Sequence, residues 1–258
     1  MEINYLNALR LGFSTQHAQK IQTMGLPKYI TEQLNTENPI FLPDFLKNSP
    51  KNLKELQAER KKLKENAVNT ENKEKAAKEL LKIRIQLKTF ILKRCYETPL
   101  PLREKINLFF QNHFVATLQS VKVPYWIFSY YKTINDCSLG NYKTLVKEII
   151  YSNAMIKYLD NQQNRRGKVN ENLARGLLEL FTLGEGNYSE QDIKNTALAL
   201  AVLFFGEEKG QYKPISKDNS IKTVFGKSGN FIIDDVIEII FEQKNVPYFL
   251  AEKVLKWL

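Results

Sequence analysis

Apolar residues recur every three or four positions along most of the chain, which is the spacing of an amphipathic α-helix. Helix-breaking residues divide this pattern into segments, as at 24–27 and 98–101. Pro101 suits the first turn of the helix that follows the second break. Helices are predicted over 80–91, 101–114, 142–150, 170–184, 189–205, 234–241 and 247–258. The pattern therefore predicts a mainly helical protein.

Polar residues before several of these segments predict helix caps. Ser14 or Thr15 can cap an early helix, and Asn141 precedes another. Ser189 with Asp192 three residues later resembles a capping box, although Glu or Gln is the usual partner. These residues indicate where the corresponding helices begin.

The segment 206–229 departs from the helical pattern because it is rich in turn-forming residues, and it predicts a short β-hairpin near residues 210–230. Residues 39–50 predict an irregular connection between helices. No internal repeat is evident in the sequence. We therefore expect an all-α fold class, a multi-helix globular bundle with at most this one hairpin.

The segment from Lys51 to Arg94 carries most of the net charge of the protein. It contains 14 Lys or Arg and 6 Asp or Glu, a net charge of +8 out of +10 for the whole chain. Both signs are interleaved at helical spacing, which predicts a basic helical arm over 51–94 that protrudes from the bundle, with an interruption at 66–70. Aromatic side chains that could stack on bases are absent before Phe90. We therefore do not expect a nucleic acid as partner.

Length and composition allow a sizeable hydrophobic core. With 258 residues, of which 43% are apolar, the chain can form a single helical domain over 1–258 into which the basic arm is inserted. The last residues, Lys256-Trp257-Leu258, stand in the middle of an amphipathic pattern without a terminator. We therefore expect that this sequence is truncated at its C-terminal end.

No membrane-spanning or export segment is predicted. The longest apolar run, 197–205, is much shorter than a bilayer span. Residues 1–6 lack the basic start and the apolar run of a signal peptide. The residues alone therefore predict a soluble protein and, by default, a cytoplasmic one.

Metal and cofactor sites are not predicted. Cys95 and Cys137 lie far apart without metal-ligand spacing, and the chain contains only two histidines. Asp160 and Glu171 are separated like the first and last ligands of a calcium-binding loop, but Arg165 occupies the position that needs glycine. A glycine-rich phosphate-binding loop is also absent from the sequence. We therefore expect neither a metal ion nor a cofactor.

The most distinctive polar residues lie on the segment 160–188. In a helix that begins at Asn170, the side chains of Glu171, Arg175 and Glu179 fall on one face. Apolar residues fill most of the remaining circumference, so we expect the helix to be buried together with this Glu-Arg-Glu stripe. Replacing Arg175 by alanine is then expected to destabilise the fold markedly, because two acids lose their partner.

The sequence allows two interpretations of these polar residues. They can form a structural ladder of acid, base and acid that holds the helix in register. They can also line a pocket beneath the loop 160–164, in a binding or scaffold module built around the Asn170-Glu171-Asn172 motif and Arg175. The ligand-binding residues would then be Asp160, Asn164, Asn170, Glu171 and Arg175, with His113 nearby.

An enzyme is the alternative function. His113 lies among aromatic residues at 109–114, where a lone histidine usually makes a structural hydrogen bond. A hydrolase would use Glu171 or Glu179 as general base and His113 as proton partner. This hypothesis requires His113 to lie close to one of the two glutamates in the fold.

Several stretches of the chain resemble one protein family. The central stretch joins Asn170–Arg175, Glu179–Gly184 and Gly186–Ile193, and it is similar to the family called domain of unknown function 1800. Supporting stretches are 158–161 with 164–165, 101–105 with 112–114, 9–13, and 222–226. They follow the family order, so the resemblance covers essentially the whole chain.

The resemblance implies a bacterial protein whose biochemical activity is undetermined. Members of this family are generally longer than this chain, and many are exported. They often occur next to a sulfatase-like family. The resemblance therefore implies a protein partner of the sulfatase-like type, and export as an alternative to the cytoplasm.

This sequence departs from the family pattern at four places. Gly176 stands where the pattern has Glu, and Ala201-Val202-Leu203 replaces Thr-Gly-Trp. Lys217-Asp218 replaces a His-Asp pair, and Phe110-Gln111 replaces an aromatic residue followed by His. These losses imply a degenerate or scaffold-like member of the family.

Overall fold

The computed structural model describes residues 2–65, 70–165 and 167–258. Over these residues the protein is mainly helical, with 15 α-helices and two small antiparallel sheets of two strands each. The predicted all-α class is confirmed. In chain order the α-helices are α1 (Glu2–Arg10), α2 (Ala18–Met24), α3 (Leu26–Asn35), α4 (Asp44–Lys47), α5 (Leu53–Glu65), α6 (Thr70–Glu97), α7 (Pro101–His113), α8 (Leu118–Val121), α9 (Pro124–Cys137), α10 (Tyr142–Ile150), α11 (Asn153–Tyr158), α12 (Asn172–Arg175), α13 (Glu190–Leu200), α14 (Ile233–Phe241) and α15 (Asn245–Trp257).

Other regular elements are short. A π-helical segment at Gly176–Thr182 continues α12 directly. Turns of 3₁₀-helix occur at Thr15–His17, Asn161–Gln163 and Pro214–Ser216. The strands are β1 (Leu203–Phe204), β2 (Gln211–Tyr212), β3 (Lys222–Val224) and β4 (Lys227–Gly229), with β1 paired to β2 and β3 to β4.

The predicted hairpin is formed by β3 and β4. Val224 pairs with Lys227, and the two residues between them, Phe225 and Gly226, both have positive φ, 46° and 76°. Two central residues of positive φ make the tight turn that matches the right-handed twist of a hairpin. A second ribbon, β1 with β2, was not expected, and the helix predicted over 189–205 ends at Leu200. The apolar run 201–205 therefore forms a turn and a strand instead of a helix, with Ala201, Val202 and Leu203 buried.

Two predicted caps are confirmed by hydrogen bonds to the backbone. Asn141 Oδ1 accepts from the Thr144 amide at 3.1 Å at the start of α10. Ser189 Oγ accepts from the Asp192 amide at 3.1 Å, while Asp192 Oδ2 accepts from the Ser189 amide at 2.9 Å. This reciprocal pair is a capping box in which aspartate replaces the usual glutamate. It fixes the start of α13, the helix to which the loop of the candidate site is hydrogen-bonded.

The main core lies among the central and C-terminal helices. Its fully buried side chains include Phe114, Tyr131, Ile134, Ile149 and Met155. A smaller apolar cluster joins α1, α2 and α3, and α3 packs against α7. The first three helices are thereby attached to the main core.

The basic arm consists of α5 and α6, which pack against each other. The interruption predicted at 66–70 falls largely on residues outside those that the structure describes. Leu56 and Leu87 are 4% and 0% exposed, and α6 also packs against α7 and α9. The arm is therefore anchored on the core along one face of α6. None of the helices in the described residues combines the length and the apolar character needed to cross a bilayer.

Candidate functional site

A buried asparagine, Asn161, holds the loop between α11 and α12 in place. Asn161 is 0% exposed, and its side-chain amide donates to the carbonyl oxygens of Leu200 at 3.2 Å and Leu203 at 3.0 Å. The last carbonyl groups of a helix have no partner within the helix, so a buried side-chain donor at this position satisfies one of them. Asn161 therefore joins the loop to the end of α13.

A second buried asparagine, Asn164, extends this connection. Its side chain is 0% exposed and donates to the carbonyl oxygen of Ala197 at 2.7 Å and to Asn161 Oδ1 at 3.3 Å. Asn164 Oδ1 accepts from the amide of Asn170 at 3.1 Å. Sequence reasoning assigned Asn164 to ligand binding, but the structure gives both ends of this side chain internal partners. Asn164 therefore has a structural role, because it stabilises the loop of the site.

A tight turn forms the outer edge of the loop. Arg165 and Lys168 exchange two backbone hydrogen bonds, of 3.0 and 2.9 Å, and Gly167 has a φ of +79°. Positive φ is a conformation that glycine adopts without strain. Lys168 thereby comes to lie beside the start of the next helix.

The helix after the loop begins close to the predicted position. Asn170 Oδ1 accepts from the amide of Asn172 at 3.0 Å, and the Arg175 amide donates to the carbonyl oxygen of Glu171 at 2.8 Å. Asn170 thus stabilises the first turn as expected, although α12 proper begins at Asn172.

The helix changes from α to π geometry after one turn. From Gly176 to Thr182 it is a π-helix, and the Leu183 amide bonds to the carbonyl oxygen of Leu178, five residues earlier. A Cβ atom added at Gly176 would lie 3.0 Å from a methyl group of Leu159. Gly176 is thus in close packing with Leu159, the residue that follows α11.

The predicted Glu-Arg-Glu ladder is wrong, because this change of helix type turns Glu179 away from Arg175. Arg175 is 42% exposed and pairs with Glu190 of α13 at 3.0 and 3.3 Å, and with Glu171 at 3.6 Å. Glu179 instead accepts a hydrogen bond from the hydroxyl of Tyr188. Desolvation and that bond raise the pKa of Tyr188 to about 12. Side chains four residues apart align only in α geometry, which ends at Arg175. The polar stripe therefore lies on the surface.

Arg175→Ala is expected to lower the thermal midpoint only slightly, contrary to the expectation from the sequence. The guanidinium is 42% exposed and the Glu190 carboxylate 67%, so water screens the pair and replaces it at little loss. Scanning calorimetry of the variant beside the unchanged protein measures the shift. A large drop in midpoint would contradict the surface position of the pair.

Five polar residues and Val169 surround an open cavity at this loop. The cavity, which we call the loop cavity, has a volume of about 350 Å³ and is lined by Gln163, Lys168, Val169, Asn170, Glu171 and Asn172. Arg175 is not among the lining residues but forms an ion pair of 3.6 Å with Glu171, which is. Asp160 is held in its own turn instead, where its Oδ1 accepts from Lys157 at 3.3 Å and from Gln162 at 2.7 Å. Of the predicted ligand-binding residues, Asn170 and Glu171 are the ones that line the cavity.

His113 lies at the end of α7 in an aromatic environment and is 8% exposed. Its Nε2 is 2.8 Å from the hydroxyl of Tyr142 and 3.2 Å from the carbonyl oxygen of Phe181. Its ring stacks on Phe109 with centroids 5.6 Å apart. Burial lowers the pKa of His113 to about 4, and the hydrogen bond to Phe181 opposes this only in part. The ring is therefore neutral at pH 7.

His113 faces a different groove from the loop cavity. This aromatic groove, of about 300 Å³, is lined by Phe109, Asn112, His113, Lys253, Lys256 and Trp257. It shares no lining residue with the loop cavity. Within the described residues, no carboxylate makes a hydrogen bond to His113. The structure thus does not bring His113 into contact with Glu171 or Glu179. Nor do three His, Cys, Asp or Glu side chains of the described part cluster as metal ligands.

Sequence reasoning missed a buried ion pair between α6 and α7. Glu104 is 1% exposed, and its carboxylate accepts from Arg94 at 2.7 Å, Asn38 at 2.8 Å, Tyr131 at 3.1 Å and Asn107 at 3.4 Å. A buried carboxylate requires such partners, since an unpaired charge in a core is strongly unfavourable. Glu104 and Asn107 share a helix face at a spacing of three, which is the one signal that the sequence offered.

Further amides complete this network. Asn107 bonds to Asn135 of α9 at 3.1 Å and accepts from Ser138 at 2.7 Å, and Asn135 donates to the carbonyl oxygen of Asn38 at 3.1 Å. The network thus connects α6, α7 and α9 with the segment before α4. We assign it a structural role, because the Glu104 carboxylate and the amide groups around it bond to one another.

A family model described as "Protein of unknown function (DUF1800)" matches residues 4–258. No curated protein and no solved structure matches the chain.

Proposed function

The chain belongs to the DUF1800 family of proteins of unknown function, and from this premise we propose that it is a binding module whose ligand occupies the loop cavity. The proposed ligand is a polar peptide segment of a partner protein. The observation that carries the proposal is a loop anchored by buried Asn161 and Asn164 whose polar rim lines an open cavity. A site held rigid before binding loses less entropy when its ligand arrives.

The side chains around the loop cavity match the groups of a peptide. Gln163 and Asn172 offer amides, Lys168 an ammonium group and Glu171 a carboxylate. Within the described residues, no hydrogen bond occupies the side chain of Gln163, Lys168 or Asn172. A peptide backbone presents donors and acceptors along its whole length. A cavity with donors and acceptors side by side therefore suits a peptide better than it suits a purely anionic or apolar ligand.

The hydrolase alternative receives no support from this geometry. It requires His113 within hydrogen-bond reach of a glutamate or of a shared substrate. The ring of His113 bonds to Tyr142 and Phe181 and lines the aromatic groove. A histidine with a pKa of about 4 is also a weak base and is not protonated at pH 7.

Site-specific photo-crosslinking tests the proposal. We expect a photo-reactive phenylalanine analogue at Val169, which lines the loop cavity and is 41% exposed, to form a covalent adduct with a protein in the cells that make this chain. The same analogue at Leu180, 49% exposed but outside the cavity lining, is the matched control and should form none. The family resemblance makes a sulfatase-like protein the first candidate for the partner.

Variants of the rim separate a specific adduct from chance contact. Glu171→Ala combined with Gln163→Ala should abolish the adduct at Val169, while Glu185→Ala outside the cavity should leave it unchanged. Equal adducts at Val169 and Leu180, no adduct at either, or an adduct that survives the rim variant would overturn the proposal. An adduct of only small-molecule mass would overturn the peptide as ligand.

A further inference from the structure

An apolar stripe runs along the outward face of α6. Leu81, Ile85, Leu92 and Tyr96 are 55%, 55%, 68% and 78% exposed. Their spacings of four, seven and four residues place all four on one face of a helix. The stripe extends over about 22 Å, at roughly 1.5 Å per residue. Isolated exposed apolar residues are ordinary, but four of them on one face of a helix mark a surface that contacts something.

The opposite face of α6 is already used for packing. Leu87 is 0% exposed, Ile83 and Phe90 pack against the main core, and Arg94 pairs with buried Glu104. The helix therefore cannot turn its apolar stripe inward without breaking these contacts. We call the outward row the α6 stripe.

The charges that flank the α6 stripe are mainly positive. From Lys78 to Glu97 the chain contains six Lys or Arg and two Glu. By helical spacing, Lys88 lies within the row between Ile85 and Leu92, and Lys82 and Lys93 lie beside the row. The two glutamates lie off this row and are 3.8 Å from Lys82 and 3.7 Å from Lys93. The outward face thus combines aliphatic side chains with a positive border.

This combination favours one kind of partner. A second copy of the same face would bring lysines against lysines, and like charges in contact repel. A nucleic acid would use the lysines but not the leucines, since bases stack on aromatic side chains. An anionic lipid surface uses both, because apolar residues enter the acyl boundary while lysines extend to the headgroups. We propose that the α6 stripe binds the surface of anionic membranes, with α6 lying parallel to the membrane plane.

Co-sedimentation of the full chain with lipid vesicles tests this proposal. Binding is expected to vesicles of phosphatidylglycerol mixed with phosphatidylcholine, and not to phosphatidylcholine alone. Each lysine near an anionic surface contributes roughly a fivefold gain in affinity, so Lys88→Glu with Lys93→Glu should weaken binding by more than about 25-fold. Leu81→Ser with Leu92→Ser should weaken it by about tenfold or more, because the apolar contribution is lost.

Matched variants elsewhere on the surface keep the test specific. Ile215→Ser with Leu255→Ser removes apolar side chains that are 95% and 73% exposed, and Lys132→Glu with Lys227→Glu reverses two exposed charges. Both pairs should bind within about twofold of the unchanged protein. The proposal is overturned by absence of binding to anionic vesicles, by equal losses in the control pairs, or by full binding of the serine pair. Binding to an acidic amphipathic peptide but not to vesicles would also overturn it, in favour of a protein partner.

Discussion

Arg94→Ala is expected to lower the free energy of unfolding by about 3–5 kcal/mol, the range measured when one partner of a buried ion pair is removed. Glu104 remains 1% exposed in the fold and loses its only charged partner among the described residues. Asn38, Asn107 and Tyr131 still donate to it but do not neutralise its charge. In a chain of this size the thermal midpoint should fall by roughly 6–20 °C.

Urea unfolding of three variants gives the measurement its controls. Glu104→Gln removes the charge but keeps an acceptor, and it should be less harmful than Arg94→Ala. The double variant should be more stable than the sum of the two single effects predicts, because no charge is then left unpaired. Arg175→Ala is the matched arginine whose partners are exposed. Equal losses at Arg94 and Arg175 would contradict the role of burial.

Local features of this fold could be predicted because they depend on neighbours in sequence. The capping box at Ser189 and Asp192 and the cap at Asn141 involve residues three apart, and both are present. The tight turn at Phe225 and Gly226 lies inside the segment rich in turn formers. In each case the sequence contains both partners of the interaction within one turn of chain.

Features that depend on distant partners could not be predicted in this way. Glu104 is satisfied by Asn38, which is 66 residues away, and Asn164 by Ala197, which is 33 residues away. No spacing rule connects such positions. The π-helix is a different case: the apolar periodicity of 173–181 fits an α-helix, and the π geometry from Gly176 to Thr182 is not encoded in that spacing.

In the candidate site, too, interactions between sequence neighbours could be predicted and interactions between distant residues could not. Asn170 and Glu171 could be placed at the start of a helix from the sequence, and both line the loop cavity. The contribution of Asn161 was missed because its partners, Leu200 and Leu203, lie 39 and 42 residues further along the chain. The predicted burial of Arg175 is wrong because the apolar neighbours are buried on the other side of the helix, while Arg175 pairs with Glu190 of α13 at the surface.

The stability of the protein is expected to fall as the pH is lowered from about 6.5 to about 4, and His113 should account for much of this loss. Burial among aromatic rings, opposed in part by the hydrogen bond to Phe181 and aided slightly by the nearby Lys253 ammonium, lowers its pKa to about 4 in the fold, against 6.5 in an unfolded chain. Between these pH values the unfolded chain binds a proton and the folded protein does not. The contribution is therefore fully present above pH 6.5 and decreases by on the order of 3 kcal/mol towards pH 4.

His113→Gln tests the assignment, because glutamine does not titrate and can still donate to the carbonyl oxygen of Phe181. The free energy of unfolding of this variant, measured in urea from pH 4 to pH 7, should fall less steeply than that of the unchanged protein. Carboxylates titrate in both proteins, so the difference between the two curves isolates the histidine. His17→Gln is the matched control: burial also lowers the pKa of His17, but Lys20 and Glu32 act on it in opposite directions in a more open position. Parallel curves for His113→Gln and the unchanged protein, or an NMR titration midpoint of His113 near 6.5, would show that the ring takes up its proton within the fold.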